Sequence, residues 1–149
     1  MEGLRTNVIQ SLNPALKVSN MNLDEDILFS HSRLERNQRE MIAVVVSAAN
    51  QSEYCLLHHQ KALLRYWKDQ QRVDRLIREP DSAGLTEQDY QLCVLAKELT
   101  LNPKLSTFQK VNALKQTGLA DHAILDAILV VAYFNFVNRI ELGLGRYVN

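Results

Sequence analysis

Apolar residues recur along this chain at intervals of three and four, the spacing that gives a helix one buried face. The pattern holds nearly throughout. The only run that reads equally well as a strand is Ile42-Ala-Val-Val-Val46. Strong helix formers, Arg33-Leu-Glu-Arg-Asn-Gln-Arg-Glu40, precede it, and the pattern continues through Ser47-Ala-Ala49. Length therefore decides for a helix from about Arg36 to Ala49. Three prolines and five glycines fall between the periodic stretches, where helix punctuation belongs.

Asn50-Gln-Ser-Glu53 has the form of a capping box, with Asn50 or Ser52 as N-cap of a helix running through Trp67. A short amphipathic helix over Arg72 to Arg78 ends before Pro80, and Thr86-Glu-Gln-Asp89 opens another that reaches Leu101. Ser106 or Thr107 caps a short helix closed by Gly118, and Asp121 starts a long apolar one reaching about Leu142. Nearer the start, Leu4 to Leu16 and Leu23 to Phe29 have helical spacing, with Pro14 as a break or kink. The class is all-α, a compact helical bundle.

Composition narrows the function classes. With 46% hydrophobic and 23% charged residues, the chain has the balance of a globular protein. Seventeen basic and seventeen acidic residues cancel without a basic block, so nucleic-acid binding has no electrostatic footprint. Ala123 to Val137 is the one membrane-like stretch; it is shorter than a span and interrupted by Asp126 and Asn135, so it reads as core or subunit interface. The opening Met-Glu-Gly-Leu-Arg-Thr lacks the basic-then-apolar pattern of a secretory signal. A cytoplasmic location is the expectation by elimination, with no membrane and no nucleic-acid partner.

Two cysteines, Cys55 and Cys93, make no disulfide framework. Cys93 lies on the apolar side of its helix and reads as core. Cys55 falls in the first turn of its helix, with His59 one turn on, on the same face. A thiol at a helix N-terminus ionises more easily, and a neighbouring histidine can take its proton. That pattern expects a reactive thiolate rather than a small buried hydrophobe. Glu40, taken alone, reads as a solvated carboxylate beside Arg36 and Arg39 in a charged helix start; placed under an apolar hairpin, it would instead have a raised pKa suited to proton relay. Ser52 reads first as the helix cap, and secondly as a hydroxyl passing a proton between Glu40 and Cys55. Tyr54 could donate a hydrogen bond near the sulfur or pack at an interface. His58 points some 100° away from His59 around the helix, a supporting or interfacial position. Asn135, Asn138 and Arg139 interrupt an apolar helix and need partners across helices or subunits; Asn135 could also line the pocket. No metal site and no cofactor-binding motif is expected.

Two separated motifs, Ser47-Ala-Ala-Asn-x-x-Glu-Tyr-Cys-x-x-His-His59 and Val131-Ala-Tyr-Phe-Asn-Phe-Val-Asn-Arg139, resemble the peroxidase-related branch of the carboxymuconolactone decarboxylase family. That family includes the alkyl hydroperoxidase D-like proteins. The resemblance spans Leu34 to Gly145, so the chain is expected to be one such domain over 1–149. Residues 34–145 would form the family core and 1–33 an N-terminal helical segment. It implies an all-α domain with the site on a helical hairpin, assembled as a homo-oligomer, trimer or hexamer. It also implies catalytic roles for Cys55, His59 and Glu40 in reducing hydrogen peroxide or organic hydroperoxides, an antioxidant activity. The family's first cysteine is replaced by Ser52, which cannot form a disulfide. Reducing equivalents would then come from an external thiol. The rival expectations are an acid–base enzyme acting on a lactone or related acid, and a non-catalytic redox sensor.

Overall fold

A computed structural model describes residues 14–104 and 107–145. Seven α-helices cover most of them: α1 (Pro14–Phe29), α2 (Arg36–Ala49), α3 (Glu53–Trp67), α4 (Gln70–Arg78), α5 (Glu87–Leu101), α6 (Thr107–Gln116) and α7 (Asp121–Leu144). No strand occurs among the described residues. The all-α expectation holds, and the ends of α2, α3 and α5 match the sequence reading. Pro14 does not separate two segments within the described part; one helix runs unbroken from Pro14 to Phe29. The expected helix from Leu4 lies outside the described residues up to position 13, as does the candidate cap Ser106.

α2 is the axis of the molecule. Every residue from Gln38 to Ser47 is buried, because α1, α3, α4, α5 and α7 all pack against this helix. This explains the valine run. Three consecutive β-branched residues cost a few tenths of a kcal/mol each in a helix, about an order of magnitude less than burying their side chains gains. From Met41 to Val46 the enclosed helix is apolar all round. Its start is tied by Gln38 Oε1, which accepts from the Glu35 backbone N–H at 3.0 Å.

Two arginines of α2 hold α1 in place. Arg39, 3% exposed, donates to the carbonyls of Ile27, Ser30 and Leu34 at 2.9, 2.9 and 3.2 Å. Arg36 donates to the carbonyl of Leu28 at 2.6 Å and lies 3.8 Å over the Phe29 ring. The last carbonyls of a helix lack intrahelical donors, and here a neighbouring helix supplies them. The Ser32 hydroxyl also donates to Asp126 of α7.

The remaining boundaries follow local chemistry. Thr86 Oγ1 caps α5 by accepting from the Asp89 N–H at 3.1 Å. Asp69 caps α4 in the same way through Arg72, at 3.0 Å. Gly118 follows α6 at φ +87°, a left-handed conformation that only glycine adopts without strain.

α7 is longer than the apolar segment read from sequence. By length and composition it could cross a membrane: one 18-residue window has mean hydropathy 1.6, and 44% of that window is buried. It packs against α1, α2, α3, α5 and α6, which is the environment of a core helix. Its inward face carries Ala123, Ile124, Ala127, Val131 and Phe134, all buried, with Ile128 partly so. The core reading of that stripe holds.

Candidate functional site

The hairpin of α2 and α3 brings the expected residues to one place, with α1 and α7 closing over it. Glu40 is 2% exposed. Its Oε1 accepts from Arg36 Nη2 at 2.8 Å, and its Oε2 lies 2.8 Å from His59 Nδ1. An ionised carboxylate only accepts, so Nδ1 carries the proton and Nε2 is left as the reactive nitrogen. The His59 ring packs edge-on against Phe134, with centroids 4.4 Å apart, and against the exposed His58 at 5.0 Å.

Glu40 departs from the sequence expectation. Burial alone pushes its carboxyl up. The hydrogen bond and charge of His59, with those of Arg36, outweigh burial and hold the carboxyl below its usual range. It is an anion that orients His59, not a protonated relay.

Cys55 departs in the opposite sense. It occupies the third position of α3, as expected for the first turn, yet the thiol is pushed above its ordinary value. Burial is the main cause. Its hydrogen bond with Ser52 lowers it, the Glu141 carboxylate raises it further, and Asn138 lowers it again. Burial of Cys55, 5% exposed, opposes the helix N-terminus, whose field is worth at most about 2 kcal/mol.

Ser52 does not cap α3. It occupies the N-cap position, but its side chain makes no capping hydrogen bond, and Asn50-Gln-Ser-Glu53 forms no capping box. The Ser52 hydroxyl instead donates to Glu141 Oε2 of α7 at 2.7 Å. The partner is thus Glu141, not Glu40. Burial decides this: Ser52 is fully enclosed, and α7 supplies the nearest acceptor.

The turn between the hairpin helices is bolted to α7. Asn50 Nδ2 donates to Asn135 Oδ1 and Asn138 Oδ1 at 3.0 and 3.1 Å, and Asn50 Oδ1 accepts from Arg139 at 2.7 Å. Asn135 also donates to Thr100 Oγ1 at 2.9 Å, and Asn138 to Ser47 Oγ at 3.3 Å. The polar residues of α7 therefore find partners across helices, as buried amides must. Asn135 serves this bracing network. Gln51, at φ +56°, takes the left-handed turn that the network holds. Tyr54 is half-buried, beside Cys55 in the first turn of α3.

Cys93 lies in the hydrophobic core cluster, as read. Burial, with the Asp89 carboxylate behind it, pushes its thiol strongly up. Both cysteines are free. Among the described residues no group of three or more His, Cys, Asp and Glu side chains is arranged to hold a metal.

Three groups at the site went unread in the sequence. Tyr133 of α7, 7% exposed, hydrogen-bonds Asp24 of α1. Burial and that neighbouring carboxylate raise the phenol strongly, and the Cys55 sulfur acts on it in the same direction. Asp24 is raised mainly by burial and lowered by the Tyr133 hydrogen bond and by Arg36 and His59. Glu141 is the third. Two of them carried a signal: Tyr133 lies within the Val131 to Arg139 motif, and Asn135, Asn138 and Glu141 recur every three residues on an apolar helix. Asp24 comes from α1, whose sequence carries no motif.

The sequence model of the carboxymuconolactone decarboxylase family matches residues 14–98, which include Glu40, Ser52, Cys55 and His59. The chain belongs to this family. No curated protein matches it. Among solved structures, a peroxidase-related protein from Silicibacter sp. TM1040 is similar at 27% identity and TM-score 0.84, covering 88% of this chain and 69% of its own. An alkylhydroperoxidase AhpD core protein from Ralstonia eutropha JMP134 has 22% identity and TM-score 0.84, covering 91% and 71%. A variant of the debrominase Bmp8 in complex with 2,3,4-tribromopyrrole has 19% identity and TM-score 0.79, covering 93% and 73%. The last two likenesses are of fold. The matched residues include the whole α2–α3 hairpin, with α7 packed across its turn.

Proposed function

We propose that this member of the carboxymuconolactone decarboxylase family is a thiol peroxidase, with Cys55 as nucleophile and Glu40 and His59 as its acid–base pair. The observation that carries the reading is the buried Glu40–His59 hydrogen bond of 2.8 Å, one helical turn from a buried free thiol. The alkyl hydroperoxidase D-like fold supports an antioxidant, peroxidase-related role.

In the proposed step the thiolate electron pair forms an S–O bond with the terminal peroxide oxygen while the O–O bond breaks. His59 Nε2 delivers a proton drawn from solvent to the departing oxygen, and Glu40 balances the charge that the ring carries in transit. The products are an alcohol or water and the Cys55 sulfenic acid. Two equivalents of an external thiol return it to the thiol, releasing water and their disulfide. Ser52 offers no second sulfur, and Cys93 is a protonated core residue.

The test is the rate of Cys55 oxidation by hydrogen peroxide and by cumene hydroperoxide across pH, with the product identified by intact mass. A sulfenic acid or mixed disulfide on Cys55 is expected. The rate should keep rising past the free-thiol value of about 8.5, because burial raises this thiol. A thiol inert to both peroxides at every pH overturns the reading.

A second reading rests on the same pair. Glu40 and His59 are a complete acid–base device without the sulfur, suited to proton transfer on a lactone or related acid. The family's fold also carries a debrominase, so activity toward peroxide, not fold, decides between the readings.

We further propose a homo-oligomer assembled through α7. Leu125, Leu129 and Phe136 are 56, 44 and 50% exposed, and with Ala132 they follow the alternating four-three spacing of a helix-pairing seam. Leu129→Glu is expected to lower the mass found by sedimentation to that of the monomer while leaving helical content intact. An unchanged mass removes α7 from the interface.

A further inference from the structure

The proposed mechanism leaves the thiol proton without a first acceptor, and the site offers one. His59 Nδ1 is engaged by Glu40, whereas the hydrogen-bond partners of Cys55 itself are Ser52 and Asn138. Ser52 is fully buried, and its hydroxyl donates to Glu141 Oε2 at 2.7 Å. A hydroxyl that gives its proton to a carboxylate presents its lone pairs to another donor. Glu141 is half-buried, so its carboxyl can exchange protons with solvent.

The geometry points to a proton relay from Cys55 through Ser52 to Glu141, with Glu141 as the base that activates the thiol. Cys55 Sγ gives its proton to Ser52 Oγ as Ser52 gives its own to Glu141 Oε2, and the sulfur keeps the S–H electron pair. Asn138, also fully buried, holds the sulfur from the side of α7. The Tyr133 phenol of α7 also acts on it, with Asp24 of α1 behind that phenol, and His59, paired with Glu40 of α2, lies one turn further along α3. This assignment rests on the proposed nucleophilic role of Cys55. It gives the serine at the family's first cysteine position a chemical task in place of the lost disulfide.

The Glu141→Gln variant tests it, because charge and base pull in opposite directions. A nearby carboxylate disfavours the thiolate, so removing it lowers the Cys55 pKa. If Glu141 were only a charge, E141Q would react faster near neutral pH. If Glu141 takes the proton as the sulfur attacks, E141Q reacts slower by about 10²-fold, the scale of a lost general base.

The measurement is the rate of Cys55 modification in wild type and E141Q by hydrogen peroxide and, in parallel, by iodoacetamide, resolved by intact mass. Thiolate absorbance titrates the sulfur, and melting temperature reports the fold. Slower reaction with both reagents and a lowered thiol pKa are expected. Ser52→Ala should be as slow, and the double variant no slower than either, since hydroxyl and carboxylate act as one unit. Equal or faster rates in E141Q overturn the relay, as does a loss confined to peroxide. Wild type that is alkylated with this Glu141 dependence yet never reduces peroxide keeps the relay and removes the peroxidase reading.

Discussion

Replacing Cys55 with serine is expected to abolish peroxide reduction, by about 10³-fold or more, since no other group supplies the nucleophile. The fold should survive. Serine is nearly isosteric, and Ser52 and Asn138 already stand at hydrogen-bonding distance from the position, so the new hydroxyl is not left unpaired. Cys93 cannot substitute, because its sulfur sits protonated in the core. The same variant separates the two functional readings. Proton-transfer chemistry by Glu40 and His59 does not pass through sulfur and would persist in Cys55→Ser. Consumption of hydrogen peroxide with a dithiol reductant is the assay. Turnover retained in the variant would sink the thiol peroxidase assignment.

Glu40 carries the second large effect, in stability as well as activity. Glu40→Ala leaves the His59 and Arg36 donors facing an empty, buried position. Breaking a buried charged pair in this way costs about 3–5 kcal/mol, a large part of the stability of a domain this size. Glu40→Gln keeps an acceptor and should fold, but its neutral amide cannot balance a protonated His59, and peroxide turnover should fall about 10²-fold. The pH dependence has a definite sign. The Glu40 carboxyl is held below its unfolded value, which is about 4.3. Its contribution is therefore complete above that value and is lost as pH falls through the lower, folded one. Melting temperature against pH should show wild type losing stability on the acid side, with Glu40→Gln lower at neutral pH and flatter. Parallel curves for the two proteins would show that Glu40 is not the linked group.

Sequence and tertiary structure divide this protein along a physical line. Helical periodicity and punctuation are local, so the all-α class and the ends of α2, α3 and α5 could be read from residues a turn or two apart. The spacing of Glu40, Ser52, Cys55 and His59 was legible because one hairpin carries all four. The valine run also read as helix, through its length and neighbours, although only the five helices around α2 explain why β-branched residues are stable there.

Everything that depended on burial or on a distant helix was decided by the tertiary structure. A thiol near a helix N-terminus suggested easy ionisation, yet enclosure by α7 raises Cys55 instead. A carboxylate under an apolar hairpin suggested a raised pKa, yet His59 and Arg36 lower it. Ser52 looked like a cap because capping involves neighbours within a turn; its acceptor, Glu141, lies 89 residues away. Asp24 and Tyr133 meet because α1 packs on α7, where the arginines of α2 help to hold it. The spacing of Glu40, Ser52, Cys55 and His59 is encoded locally, within one hairpin, and the sequence by itself determined it. Their protonation and their partners follow from desolvation and from contacts between remote helices, which only the folded chain creates.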